Sequence, residues 1–174
     1  ENIWLQLDEN EQSSVKNANY QDSSELPRQT SLDRLEVSNL PAKDNGFGIN
    51  LEKVTDANGN PLPYVVNKTM MRIDLPKKLK KGEKFTFKIN WNYNIPDRMK
   101  QGGRGGYEFF PEDGNHLFTM TQWYPRLCVY SDFHGWQTNQ FTGRGEFALT
   151  FGNFKVTMNV PADHMVAGTG ECKN

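Results

Sequence analysis

The sequence has no excess of charge of either sign. It contains 20 lysine and arginine residues against 21 aspartate and glutamate residues, which gives a formal net charge of −1 at pH 7. A chain with this balance has no overall basic field that would attract phosphate groups. Nucleic acid is therefore not expected to be a partner.

Long hydrophobic runs are missing as well. The purely apolar stretches are only a few residues long, whereas a helix needs roughly twenty such residues to cross a bilayer. No membrane span is therefore expected in this chain. Its 174 residues suit one domain that is large enough to bury a core. We expect a single domain at residues 1–174, with a polar, loop-rich segment at residues 8–31.

Residues that form disulfides or bind metals are few. Cys128 and Cys172 are far apart and neither belongs to a Cys-x-x-Cys pair, so a disulfide and two ordinary buried thiols both remain open. The histidines are scattered and no His-Glu-x-x-His motif occurs; they are His116, His134 and His164. The sequence thus predicts no metal site and no cofactor within this chain.

Period-two alternation is the strongest positive signal. The stretch FTFKINWNY at residues 85–93 places its aromatic residues and Ile89 on one face and its polar residues on the other, which is typical of a half-buried strand. Similar patterns predict further strands. These are IWLQL near the N-terminus, INLEKV at 49–54, MRIDL at 71–75, EFALTF at 146–151 and FKVTMNV at 154–160.

Turn-forming residues separate these segments. Examples are the Asn-Gly-Asn-Pro step at 58–61 and the Asp-Gly step at 113–114, which allow positive φ or preset a turn. Helical periodicity is nearly absent. The regular spacing of strands and turns predicts an all-β fold, an antiparallel saddle-like β-sandwich.

Three clusters of unusual composition are interpreted as surface turns. The GGRGG stretch at 102–106 has no following Lys-Ser or Lys-Thr and so does not form a phosphate loop. The lysines of the 77–84 stretch have no interleaved aromatic residues, which favours a solvated hairpin. The acidic residues Asp8, Glu9 and Glu11 are attributed to turn chemistry.

Two tryptophans are candidates for ligand contact. Trp123 and Trp136 are suited to stacking against a sugar ring on a β-sandwich surface. Aromatic side chains also dominate cores and interfaces, so packing is the alternative for both.

The C-terminal half of the sequence has a family resemblance. The stretches HLFTMTQWYPRLCVYSDFHGWQ at 116–137 and GRGEFALTFGNFKVTMNVPADHMVAGTGE at 143–171 resemble the N-terminal domain of bacterial gluzincin aminopeptidases, the family of alanyl aminopeptidase and leukotriene hydrolase. The upstream hairpin LPKKLKKGEKFTFKINWNY is similar to a hairpin of the same domain. Together these stretches cover residues 71–174, and residues 1–60 match mainly by position.

The resemblance implies that catalysis belongs to a different part of a longer protein. A saddle-shaped β domain would pack on its own downstream catalytic domain, where His-Glu-x-x-His and a distant glutamate would hold zinc. The longer protein would be a zinc aminopeptidase, whereas this chain alone would bind no zinc and cleave nothing. Bacterial relatives of this form are often exported, which implies a periplasmic or cell-envelope location.

The resemblance also implies two substrate-binding residues. Relatives have a TQ or SQ step followed two residues later by Gln or Glu, whose oxygen accepts a hydrogen bond from the free amino group of the peptide. Gln122 matches the first amide, and the second position falls at Tyr124. A phenol can accept a hydrogen bond but supplies no carboxylate or amide.

Gln122 and the chain as a whole each have an alternative interpretation. Gln122 is equally well described as a buried strand amide that satisfies neighbouring backbone groups. The whole chain is alternatively a free-standing β-sandwich module that binds carbohydrate or protein, or a scaffold domain of a relative that has lost the zinc site.

Overall fold

Short antiparallel strands make up most of the regular structure. A computed structural model describes residues 1–13, 31–32, 46–101, 104–141 and 150–173. The described strands are β1 (Asn2–Gln6), β2 (Asn50–Asp56), β3 (Tyr64–Asn67), β4 (Met70–Asp74), β5 (Phe87–Asn92), β6 (Gly106–Phe110), β7 (Asn115–Thr119), β8 (Arg126–Leu127), β9 (Tyr130–Ser131) and β10 (Gly135–Trp136). A 3₁₀ helix at Asp8–Ser13 and an α-helix at Arg98–Gln101 accompany them.

The strands form one larger sheet and three pairs. The four-stranded sheet has the order β3-β4-β1-β8, and the pairs are β2–β5, β6–β7 and β9–β10. Every one of these pairings is antiparallel. The prediction of a β-rich, antiparallel chain is confirmed for the part that the structure describes, and the sandwich arrangement stays a prediction. In the same part of the chain, no helix has the length and apolar character needed to cross a bilayer.

The main hydrophobic core contains residues of both the four-stranded sheet and the β2–β5 pair. Leu5 of β1, Ile73 of β4 and Val54 of β2 are buried in it. Ile89 and Trp91 of β5 pack partly against them. The alternation of β5 between half-buried and exposed residues therefore has the cause that the sequence predicts, a strand with one face on the core.

The predicted strand at residues 154–160 is wrong. No strand occurs at residues 150–173, and the side chains of residues 154–160 are exposed. Alternation shows which side chains share a face, but a strand forms only when a neighbouring chain accepts its backbone hydrogen bonds. Of the predicted strand at 146–151, residues 146–149 lie outside the described part of the chain, and residues 150–151 are not in a strand.

The polar segment predicted at residues 8–31 begins as a 3₁₀ helix. Asp8 and Asn10 are buried in it, and residues 14–30 lie outside the described part. Asn10 joins two distant elements, because its Nδ2 donates to the Lys68 carbonyl at 2.9 Å and its Oδ1 accepts from the Ile49 amide at 2.7 Å. The helix therefore connects the start of β2 with the β3–β4 turn.

A buried ion pair attaches the same helix to β8. Arg126 contacts the Asp8 carboxylate, and its Nη2 also donates to Gln6 Oε1 at 3.0 Å. The side chains of Asp8 and Arg126 are only 2% and 11% exposed. The interpretation of Asp8 as turn chemistry is thus wrong, because its carboxylate is held in the interior by the guanidinium of Arg126, which belongs to β8.

Loss of Arg126 should be strongly destabilising. In Arg126→Met the Asp8 carboxylate is left buried without its cation, which should lower the free energy of unfolding by about 3 to 5 kcal/mol. Urea denaturation of the chain measures the change. The control is Arg72→Met, which breaks an exposed ion pair with Asp74 and should cost at most about 1 kcal/mol.

The double variant Asp8→Asn/Arg126→Met separates the ion pair from packing. It should recover part of the loss, because no uncompensated carboxylate remains. An Arg126→Met chain that is no less stable than Arg72→Met would contradict the structural role that we assign to the pair.

Candidate functional site

Gln122 and Tyr124 lie on an irregular bend between β7 and β8. The bend, residues 120–125, has no regular secondary structure, and both side chains are half-buried. Gln122 has φ 53°, a left-handed backbone conformation that costs roughly 1–2 kcal/mol for residues other than glycine. Gln122 is therefore not a buried amide on a strand.

Arg104 and Gly105 of the GGRGG stretch lie against this bend, whereas residues 102–103 of that stretch are outside the described part of the chain. A Cβ added at Gly105 would lie 2.9 Å from Thr121 Oγ1, and one added at Gly106 would lie 2.7 Å from the Pro96 carbonyl oxygen. Without a Cβ, Gly105 can lie close to Thr121 and Gly106 can lie close to Pro96. Arg104, directly before them, places its Nη2 3.5 Å from Gln122 Oε1. The sequence signal for this contact is the glycine that directly follows the arginine, Gly105.

A row of aromatic rings supports the other side of the bend. Trp123 stacks on Trp91 with 6.1 Å between ring centroids, and its carbonyl accepts from Trp91 Nε1 at 3.3 Å. Tyr124 meets Trp123 edge to face at 5.0 Å and contacts Phe154 at 6.4 Å. Trp123 and Tyr124 are therefore positioned by packing.

The structure does not join the two candidate tryptophans. Trp136 pairs with Tyr130 at 5.3 Å, and no ring contact among the described residues links it to Trp123. A sugar platform built from Trp123 and Trp136 together is therefore not supported by the ring contacts.

Three carboxyl groups of the acidic 3₁₀ helix have raised pKa values. Burial raises the pKa of Glu9 to about 7, and the charges of Asp8 and Glu11 add to the effect. Burial and the charge of Asp8 likewise raise the pKa of Glu11 to about 7. Burial also raises the pKa of Asp8, and Arg126 offsets this only in part. Such values suit proton transfer at neutral pH, but buried ion-pair networks produce the same shifts.

Neither a metal site nor a reactive thiol accompanies these carboxylates in the described part of the chain. Across the described ranges, no group of three His, Cys, Asp or Glu side chains is arranged to hold a metal ion. Cys128 is buried and free, and burial together with the Asp8 charge raises the pKa of its thiol to about 12. It is therefore not a nucleophile at neutral pH. Cys172 is exposed and free, so the two cysteines form no disulfide with each other.

Comparisons with known proteins add no relative. The chain matches no protein-family model, no curated protein and no solved structure. The resemblance to gluzincin aminopeptidases therefore rests on the sequence of residues 71–174 alone.

Replacement of Glu9 should change stability in a pH-dependent way. A pKa raised from 4.5 to about 7 means that the folded chain binds this proton more tightly than the unfolded chain. The resulting stability is fully present below the unfolded pKa of 4.5 and is lost as the pH rises through the folded pKa. Glu9→Gln should therefore stabilise the chain at about pH 8 and have little effect at about pH 4.

Urea midpoints at the two pH values measure this difference. Glu112→Gln is the control, since Glu112 is exposed in the turn between β6 and β7 and its replacement should have similar effects at both. An effect of Glu9→Gln that is equal at both pH values would show that Glu9 is not desolvated.

Because the backbone at Gln122 is strained, we expect glycine to be a more stable replacement than alanine there, the reverse of the usual preference. Gln122→Gly should be more stable than Gln122→Ala by about 1 kcal/mol, because glycine adopts positive φ without steric cost. At Gln137, which has ordinary φ, alanine should be the more stable replacement by about 0.5 kcal/mol. Thermal unfolding of the four variants tests the sign, and alanine being preferred at both positions would exclude strain at Gln122.

Proposed function

We propose that the chain is the non-catalytic N-terminal domain of a zinc metallo-aminopeptidase. It packs on its own downstream catalytic domain and helps to shape the cleft that binds the peptide N-terminus. The sequence resemblance over residues 71–174 supports this proposal. The structural observation that carries it is Gln122, which is held in a left-handed conformation on a partly exposed bend. Strained backbone of this kind concentrates at functional sites.

The chemistry of the bend suits recognition rather than bond cleavage. Gln122 provides an amide and Tyr124 a phenol, and neither is an effective base at neutral pH. No step of zinc chemistry is assigned to this chain, because its described residues offer no metal ligand set. In the longer protein, zinc held by the catalytic domain would supply an activated water.

Arg104 affects how Gln122 meets a peptide. Its guanidinium lies 3.5 Å from the amide oxygen, which is the atom proposed to accept from the substrate ammonium group. A contact of this length at an exposed position is weak. Substrate binding would replace it, and Arg104 would move away because two cations at one oxygen repel each other.

The fold and location of the proposed domain have different support. A saddle-like sandwich agrees with the core that is shared by the four-stranded sheet and the β2–β5 pair. Export to the periplasm or cell envelope is supported by the sequence resemblance alone.

A binding module is the second candidate. Tyr130 and Trp136 meet edge to face with 5.3 Å between ring centroids, and Phe133, which lies between them in sequence, is 86% exposed. The Tyr130–Trp136 pair is the observation that favours stacking against carbohydrate. A scaffold domain of a relative that has lost the zinc site is a variant of this second candidate.

Hydrolysis of an alanyl or leucyl anilide tests the leading proposal. The natural-length gene product should cleave it and lose activity with a zinc chelator, whereas the 174-residue chain should not cleave it. In the natural-length product, Gln122→Ala should raise KM about tenfold, because a hydrogen bond to a charged group is worth about 1.5 kcal/mol or more.

The matched control is Gln137→Ala, which removes an amide of the same size outside the bend. It should leave KM unchanged. If the natural-length product does not cleave the anilide, the peptidase proposal is wrong and a binding or scaffold role becomes the better account. If it cleaves but Gln122→Ala behaves like the control, the domain does not recognise the amino group.

A further inference from the structure

Positive charge is concentrated where the chain passes from β4 into β5. Residues 76–88 read PKKLKKGEKFTFK and contain six lysines and a single acid, Glu83. This stretch therefore carries a formal charge of +5. Because the whole chain carries −1, the remaining residues together carry −6. The chain is thus nearly neutral as a whole but strongly polarised in its distribution of charge.

The loop at residues 77–84 holds its lysines in a compact arrangement. Glu83 Oε2 accepts from the Lys80 amide at 2.9 Å, and the Glu83 amide donates to the Lys80 carbonyl at 3.0 Å. Glu83 Oε1 also lies 3.8 Å from Lys77 Nζ. The Leu79 amide donates to Glu1 Oε2 at 2.7 Å, which fastens the loop to the residue before β1. The two carboxylates therefore hold the backbone of the loop.

Most of these lysines have no counter-ion. Within the described part of the chain, Lys77 alone of the six forms an ion pair, with Glu83. All six residues are exposed. Like charges that crowd together repel each other, and an anionic partner relieves the repulsion. These exposed residues form the basic surface, which consists of Lys77, Lys78, Lys80, Lys81, Lys84 and Lys88.

The basic surface extends from the loop onto β5. Phe85 and Phe87 stack on each other with 6.4 Å between ring centroids and pack against the core. Lys84 and Lys88, on either side of them in sequence, are exposed. The positive charge is thus not confined to a solvated hairpin, because it continues on a strand that the core holds in place.

The chemistry of the basic surface favours a lipid surface over nucleic acid. It contains no arginine, and lysine is a hydrated point charge without the planar fork that binds phosphate or bases in a bidentate way. The rings of Phe85 and Phe87 are packed against the core and so offer no platform for stacking with bases. A layer of anionic lipid headgroups attracts clustered lysines without needing either feature.

We propose that the basic surface binds the anionic headgroups of a phospholipid bilayer. The attraction is electrostatic and peripheral, and it orients the chain with its negatively charged remainder away from the lipid. The observation that carries the proposal is the set of five exposed lysines without counter-ions, held by one compact loop and the strand that follows it. The proposal does not depend on the proposed function.

Sedimentation with vesicles tests this binding. The 174-residue chain should sediment with phosphatidylcholine vesicles that contain about 30 mol% phosphatidylglycerol, and not with vesicles of phosphatidylcholine alone. Raising the salt from about 50 mM to about 500 mM should abolish binding, because screening shortens the reach of the lysine charges. Lys78→Gln/Lys81→Gln should weaken binding about 25-fold, since each lysine near an anionic membrane contributes about fivefold.

The matched control is Lys100→Gln/Lys155→Gln. It removes the same charge from two exposed positions outside the basic surface, and it should change the affinity by no more than about twofold. Equal losses in the two double variants would show a response to net charge and overturn the proposal. Equal sedimentation with both kinds of vesicle, or none with the anionic vesicles at low salt, would also exclude it.

A second polyanion separates lipid from nucleic acid. The unsubstituted chain should bind a single-stranded oligonucleotide of about 20 bases more weakly than anionic vesicles at equal concentrations of phosphate charge, because the basic surface lacks stacking rings. Tighter binding to the oligonucleotide would make nucleic acid the partner and remove the lipid assignment. These comparisons use the unsubstituted chain and so hold even if a variant does not fold.

Discussion

The buried contact between Asp8 and Arg126 fixes the N-terminal strand relative to the candidate site. Arg126 directly follows the 120–125 bend, and Asp8 is separated from the end of β1 only by Leu7. A carboxylate at this depth is tolerated only beside its cation, so the end of the bend cannot move without exposing or isolating a charge. The pairing of Gln6 with Arg126 in the β1–β8 register holds the backbones in the same relation.

The bend itself is supported from two sides with different chemistry. On one side Gly105 lies close to Thr121, whose Oγ1 would be 2.9 Å from an added Cβ, and on the other side Trp91 stacks on Trp123. Gln122 lies between these supports in a left-handed conformation that an unsupported chain would relax. The arrangement presents hydrogen-bonding groups at fixed positions, which agrees with the recognition role that we propose for the bend.

Local sequence patterns predict those strands that pair with another regular strand. The alternation in β1, β4 and β5 predicts strands because each of them has a neighbouring strand and one face on the core. The Asp8–Arg126 contact joins residues 118 apart, and no local pattern indicates such a pairing. The strain at Gln122 is equally invisible in the sequence, since glutamine is not a turn-forming residue. Gly105 does signal a close approach, although its local pattern alone favours an ordinary surface turn.

Residues 154–160 show what alternation can and cannot specify. The apolar row defines the side chains that share a face, whereas the backbone hydrogen bonds of a strand depend on a neighbour that the row does not identify. Ring contacts join Phe154 to Tyr124 and His164 to Phe118, but no described strand pairs with residues 154–160. Side-chain contacts therefore place Phe154 beside the bend that carries Gln122 without making its segment a strand, because a strand also needs a partner for its backbone hydrogen bonds.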